Sequence, residues 1–162
     1  MSSEALDARQ ARLLAALVSD AAVPPGFDAA RIRAAARGLA AKRSRAVMDA
    51  WPVLANALGP RYGELFAAYG DGNVLPATGS ALLDGALFCD WLIGREAFPQ
   101  EATLERQCFK LRYTVSHSRV RARRGFKMLV VRHGQPRKWV FALRLPLLGE
   151  YWWQGHWWQR PE

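Results

Sequence analysis

The chain has 162 residues, 51% hydrophobic and 23% charged, with 13 Gly and 9 Pro, which places it among globular proteins and excludes disordered and collagen-like chains. A domain of this size buries about 68–70% of its unfolded-chain surface, so one domain, or one domain with an appendage, needs neither disulfides nor a structural metal. The formal charge of +9 is concentrated, because residues 1–105 hold 10 Lys/Arg against 12 Asp/Glu, residues 106–144 hold 12 against none, and residues 145–162 hold 1 against 2.

From Ser3 the chain reads as a helix, with Leu6, Leu13, Leu14, Leu17 and Val18 roughly on one face. Val23-Pro24-Pro25-Gly26 ends it. Asp28 is suited to cap a long second helix running to about Ala50, in which Ile32, Leu39 and Val47 recur while Arg31, Arg37, Lys42, Arg43 and Arg45 take other positions. Pro52 either opens a short helix or kinks a continuous one, and Gly59-Pro60 closes the segment from Trp51 to Leu58. Arg61 to Tyr69 carries Tyr62, Leu65, Phe66 and Tyr69 at helical spacing, and Gly70-Asp71-Gly72-Asn73 stops it. Ser80 can cap a very apolar helix bearing Leu82, Leu83, Leu87, Phe88, Trp91 and Leu92, the expected centre of a bundle. A last helix is expected from about Glu101 to Tyr113.

The period then changes from helical to alternating. Phe126, Met128 and Val130 alternate with Lys127 and Leu129; Trp139, Phe141, Leu143 and Leu145 alternate with Lys138, Val140, Ala142 and Arg144; Tyr151 to Trp158 is an aromatic run. With hairpin-length connectors at 133–136 and 146–149, the expectation is a three-stranded antiparallel meander with helices over one face. The fold class is therefore α+β, with a helical bundle over 1–115 and a basic, Trp-rich sheet module over 116–162.

Catalytic and metal chemistry finds little support in the pattern. His117, His133 and His156 are scattered with no acidic or thiol neighbour at ligand spacing, which predicts no metal site. Gly70, Gly72 and Gly79 match no phosphate-binding loop, so no cofactor is expected. Asp84 with Asp90, and Glu101 with Glu105, have helical spacing, but acidic pairs on helices are commonplace and no catalytic set accompanies them. Cys89 and Cys108 lie in apolar helical stretches and read as inert, reduced thiols. No apolar run reaches the ~18 residues of a membrane span, and the N-terminus, with Glu4 and Asp7, lacks the features of a signal peptide, so the expected location is cytoplasmic.

The acid-free segment is where a partner is expected, since its field calls for a counter-charge. Arg119, Arg121, Arg123 and Arg124 lead into Lys127 and Arg132, and the alternate spacing at 119, 121 and 123 would line one face of an extended strand with guanidinium groups able to hold carboxylates or phosphates. Trp152, Trp153, Trp157 and Trp158 include consecutive pairs that point to opposite sides of a strand, which makes them interface candidates.

The basic helix Arg37-Gly38-Leu39-Ala40-Ala41-Lys42-Arg43, followed by Trp51-Pro52-Val53-Leu54, Leu58-Gly59-Pro60-Arg61-Tyr62, Phe66 and Tyr69, resembles bacterial families labelled as DNA-binding helical N-terminal domains. It is also similar to actinobacterial-type proteins with the same bundle followed by a short sheet, and more loosely to partner subunits of the methanobactin-type maturation system. That resemblance implies a protein with no active site of its own, which binds a TIM-barrel multinuclear iron oxygenase and holds a ribosomal precursor peptide against its sheet. The resulting expectation is a non-catalytic adaptor that receives a peptide by strand addition. The alternative is nucleic-acid binding, with segment 106–144 neutralising phosphates and Trp or Tyr rings stacking on bases.

Overall fold

The computed structural model describes residues 3–18, 22–76, 78–116, 119–133, 138–145 and 149–155, with backbone alone at 3–5, 18, 133, 138, 149 and 152–155. Six α-helices precede five strands: α1 Ser3–Val18, α2 Ala29–Ala50, α3 Pro52–Leu58, α4 Arg61–Gly72, α5 Ala81–Ile93 and α6 Thr103–Arg112, then β1 Tyr113–Ser116, β2 Arg119–Ala122, β3 Lys127–His133, β4 Lys138–Leu145 and β5 Gly149–Gly155. This is the expected α+β order.

Local chemistry accounts for the helix boundaries. The Asp28 carboxylate accepts from the N–H groups of Ala30 and Arg31 and so caps α2, and Ser80 Oγ accepts from Leu83 N to cap α5. Pro52 opens α3 as its first residue rather than kinking a longer helix. Because α3 has no capping side chain of its own, Glu105 reaches across from α6, where its two carboxylate oxygens accept from Val53 N at 3.0 Å and Leu54 N at 2.8 Å. The expected last helix is split and shortened: a 3-10 turn spans Gln100–Ala102, and Tyr113 opens a strand.

The main core joins α2, α3, α4, α5 and α6 through Val47, Trp51, Leu54, Leu58, Tyr62, Phe66, Tyr69, Phe88, Cys89, Leu92 and Phe109. Phe88 sits within 5.1 Å of the Phe66 ring and 5.2 Å of the Tyr69 ring, so α5 is central, as its composition predicts. Trp91 is only partly buried, under the Arg95 guanidinium at 3.9 Å. The α1 face is narrower than expected. This helix packs chiefly on α2 and buries Ala16, while Leu6 and Leu14 stay exposed, because a single neighbouring helix can cover only one seam.

The strands form a β1–β2 hairpin, which the sequence reading did not separate, and the expected antiparallel meander in the order β3-β4-β5. Leu129 lies opposite Ala142 and Val131 opposite Val140. These four are buried, and Leu129, Val131 and Ala142 pack with Leu111 of α6 in a second, small core. The meander is thus seated on α6. The other parity, with Met128, Val130 and Trp139, faces outward and is exposed.

Candidate functional site

Two polar clusters stand out, and they have opposite character. In the first, Asp84 is completely buried, and its carboxylate is saturated: Arg43 Nε donates to Oδ2 at 2.7 Å, Arg43 Nη2 to Oδ1 at 2.8 Å and the Tyr69 hydroxyl to Oδ1 at 2.8 Å. Arg43 Nη1 donates to the Asn73 carbonyl at 2.8 Å, and the guanidinium lies 5.3 Å from the Tyr69 ring centroid. Hydrogen bonding to Asp84 raises the Arg43 pKa against the opposing effect of burial. Burial first, and Asp84 second, push the Tyr69 phenol well above its ordinary value. A charge pair so enclosed, with its hydrogen bonds made, ties α2 to α4 and α5.

This cluster corrects one expectation. Arg43, read as part of a basic helix face, turns inward because Asp84 needs a counter-ion. The acidic residues of the helices have separate surroundings: Asp84 is bound to Arg43, Asp90 is exposed beside Arg106 at 2.7 Å, Glu105 caps α3, and Glu101 is exposed. None of them shares a site. Cys89 is buried and Cys108 half-buried. Desolvation pushes the Cys89 thiol up to about 12 and raises Cys108 as well, leaving little thiolate at neutral pH.

The second cluster is the basic segment. Its field is partly absorbed by Glu150, just beyond it on β5, whose carboxylate accepts from Arg112 Nε at 2.9 Å and from Arg144 Nη1. Burial would raise the Glu150 pKa, but hydrogen bonds and charge from Arg112 and then Arg144 outweigh it, and the net shift is downward. Arg106 is taken by Asp90.

The predicted guanidinium row is shorter than expected. Arg119 and Arg121 share one exposed face of β2, registered opposite Ser116 and Thr114, whereas Arg123 lies past the strand end. There its backbone N–H donates to the Arg112 carbonyl at 2.7 Å, which turns the chain, and its Nη2 reaches the Tyr113 carbonyl at 3.5 Å. Arg124 and Lys127 are exposed. Arg132 is exposed on the outer face of β3, with its guanidinium 5.7 Å from the Trp139 ring.

Trp153 is registered opposite Phe141 and Trp152 opposite Ala142; Trp157, Trp158, His117 and His156 lie outside the described residues. Among the described residues no group of three His, Cys, Asp or Glu could hold a metal ion, and no helix is long and apolar enough to cross a membrane. Sequence reasoning missed Glu150 as the charge sink. The available signal was its position as the first carboxylate after the 44 residues, 106–149, that carry none.

The family model described as "SCO6045-like, C-terminal domain" matches residues 7–94. A UPF0276 protein of Streptomyces avermitilis is 39% identical over 100 residues, which cover 60% of this chain and 20% of the relative. The chain thus spans about a fifth of the length of the curated relative it matches. No solved structure matches. These findings overturn the resemblance to DNA-binding N-terminal domains and to methanobactin partner subunits. The motifs that carried it have structural roles here: Trp51 and Pro52 form a helix boundary over the core, Gly59 and Pro60 connect α3 to α4, and Arg43 neutralises Asp84.

Proposed function

The chain belongs to the SCO6045-like C-terminal domain family, and from that premise we propose that it is a non-catalytic adaptor, which works beside a larger partner polypeptide and offers the β3 edge of its sheet to an extended peptide. The matched 100 residues are a fifth of the relative, which makes that protein about 500 residues long. A segment found as one part of such a chain is suited to act next to the remainder. That remainder is long enough for a barrel enzyme of ~250 residues. The iron oxygenase and precursor peptide were expected only through the resemblance now overturned and no observation bears on them, so the partner we propose is an enzyme of this size class, and the peptide is defined by its chemistry. Cys89 and Cys108 are unpaired thiols, which supports a reducing, cytoplasmic location.

The observation that carries the peptide reading is topological. Among the described residues β3 pairs with β4 on one side and with no strand on the other, and an open edge is a template for a further strand. Exposed Lys127 and Arg132 on β3, with Arg119, Arg121 and Arg124 nearby in the chain, favour an acidic peptide. The same cations and the outward Trp139 favour the second reading, single-stranded nucleic acid, through phosphate neutralisation and base stacking.

The two readings differ in salt dependence and in what blocks them. N–H directions alternate along an edge strand, so Val130→Pro and Val131→Pro between them block the outward-facing donor set. Titration of a labelled acidic peptide and of labelled single-stranded DNA at two salt concentrations should show peptide binding with a shallow salt slope, lost in one proline variant that remains folded by circular dichroism. Tight DNA binding with a steep salt slope, together with no peptide binding, would overturn the adaptor reading.

A further inference from the structure

A groove of about 380 Å³ opens between α5, α6, the β1–β2 hairpin and the start of β3, at the lower end of the range for ligand sites. Its apolar wall comes from Leu83 and Leu87 of α5, Phe109 of α6 and Tyr113 of β1. Lys110, Arg123 and Lys127 add three cations from three different elements. Among the described residues the one carboxylate lining the groove, Asp90, is engaged by Arg106, so the described lining is apolar on one side and positively charged on the other.

Arg123 gives the groove its direction. Its Nε–H is shielded from solvent and has no hydrogen-bond acceptor among the described residues, and the contact of its Nη2 with the Tyr113 carbonyl is at the 3.5 Å limit of a hydrogen bond. A shielded guanidinium donor without an acceptor is costly, and such a group in a native fold calls for an explanation. A carboxylate entering the groove would supply one after a small rotation of the guanidinium, with bidentate geometry that phosphate shares but that the apolar wall restricts to ligands with an apolar body.

We infer that this groove is a receptor for an acidic side chain flanked by apolar residues in a bound peptide, with the carboxylate held by Arg123, Lys110 and Lys127 and the apolar neighbours seated on Leu83, Leu87 and Phe109. The inference deepens the adaptor reading and rests on it for the identity of the ligand as a peptide. It names what the peptide must carry.

The test uses the full chain, labelled with 15N, and the tripeptide acetyl-Leu-Glu-Leu-amide, which is too short to add a strand. The probe is the Arg123 Nε–H resonance, assigned by its loss in Arg123→Lys. Titration should move that resonance, and the Gln counterpart of the tripeptide should bind about tenfold more weakly, as loss of a charge-assisted hydrogen bond requires. Lys110→Gln and Lys127→Gln, at exposed positions that do not threaten folding, should each weaken binding a few-fold. No movement at millimolar tripeptide, or equal affinity for the Glu and Gln forms, would overturn the inference, as would movement by single-stranded DNA alone. A longer peptide with the same Leu-Glu-Leu core separates this site from the edge. Dependence on Glu without sensitivity to the β3 proline variants keeps the groove and removes strand addition, and the reverse pattern removes the groove.

Discussion

Asp84 is fully shielded from solvent, so its charge is tolerable only while Arg43 and Tyr69 hold it. Removing a single partner leaves a buried carboxylate without its counter-ion, a change that costs about 3–5 kcal/mol, whereas removing both charges together can be nearly neutral. Arg43→Met should therefore lower the melting temperature by on the order of 10 °C in a protein of this size, and Arg43→Met with Asp84→Leu should recover most of that loss. Thermal melts of the two variants decide the matter: a single variant within about 1 kcal/mol of wild type would mean that the pair is not desolvated. The same network shows that Arg43 cannot serve a phosphate, although its neighbours Arg37, Lys42 and Arg45 are exposed.

At the scale of elements, the approach of α5 to the end of α2 depends on the absence of a side chain. A Cβ built on Gly85 would lie 2.2 Å from Trp51 Cδ1 and Nε1, and Trp51 cannot readily swing away, since its Nε1 donates to the Leu82 carbonyl at 3.2 Å and its ring packs 5.2 Å from Phe109. Gly85→Ala gains helix propensity of roughly 1 kcal/mol in an open helix, but here overpacking at the upper end of its usual cost of about 1–3 kcal/mol should dominate and leave a net loss of about 1–2 kcal/mol. Urea denaturation should show a lower midpoint with an unchanged slope. A stabilised Gly85→Ala variant would show that α2 and α5 do not meet in this way. The β1–β2 hairpin has the opposite design: Val120 and Tyr113 pack against the main core while Arg119 and Arg121 face water, so a four-residue strand presents cations from an anchored element.

On the scale of the whole molecule, α6 joins the two halves, giving Phe109 to the helical core and Leu111 to the core beneath the sheet. Glu150 fastens the same joint electrostatically by holding Arg112 of α6 and Arg144 of β4 from β5. The downward shift of its pKa from 4.5 has a definite sign. A folded-state value below the unfolded one gives stability that is fully present above the unfolded pKa and is lost as pH falls through the folded value. Glu150→Gln should cost about 1–2 kcal/mol at pH 7, discounted for the half-exposed Arg112, and the gap from wild type should close as pH falls below about 4. Denaturant midpoints of the two proteins at pH 7 and pH 3 measure this. A gap that persists unchanged at pH 3 would assign the loss to packing rather than to charge.

What the amino-acid sequence determined alone is what local rules control. Caps at Asp28 and Ser80, the central place of the apolar α5 and the change from helical to alternating period at the sheet all follow from neighbours in the chain, whereas Pro52 left a helix start and a kink equally open until the fold chose the start. The boundary at Tyr113 was less legible, because an aromatic residue after a basic helical turn suits either state and is settled by pairing with Ala122. Which cations remain available for a ligand was decided only by the tertiary structure. Composition counts Arg43, Arg106, Arg112 and Arg144 as equals of Arg119 and Arg121, but folding brings carboxylates from 16 to 41 positions away in sequence onto Arg43, Arg106 and Arg112 and leaves Arg119 and Arg121 in water. A charge interacts through space and not along the chain, so the location of the positive groove at Arg123 could be read only once α5, α6 and the strands had been brought together.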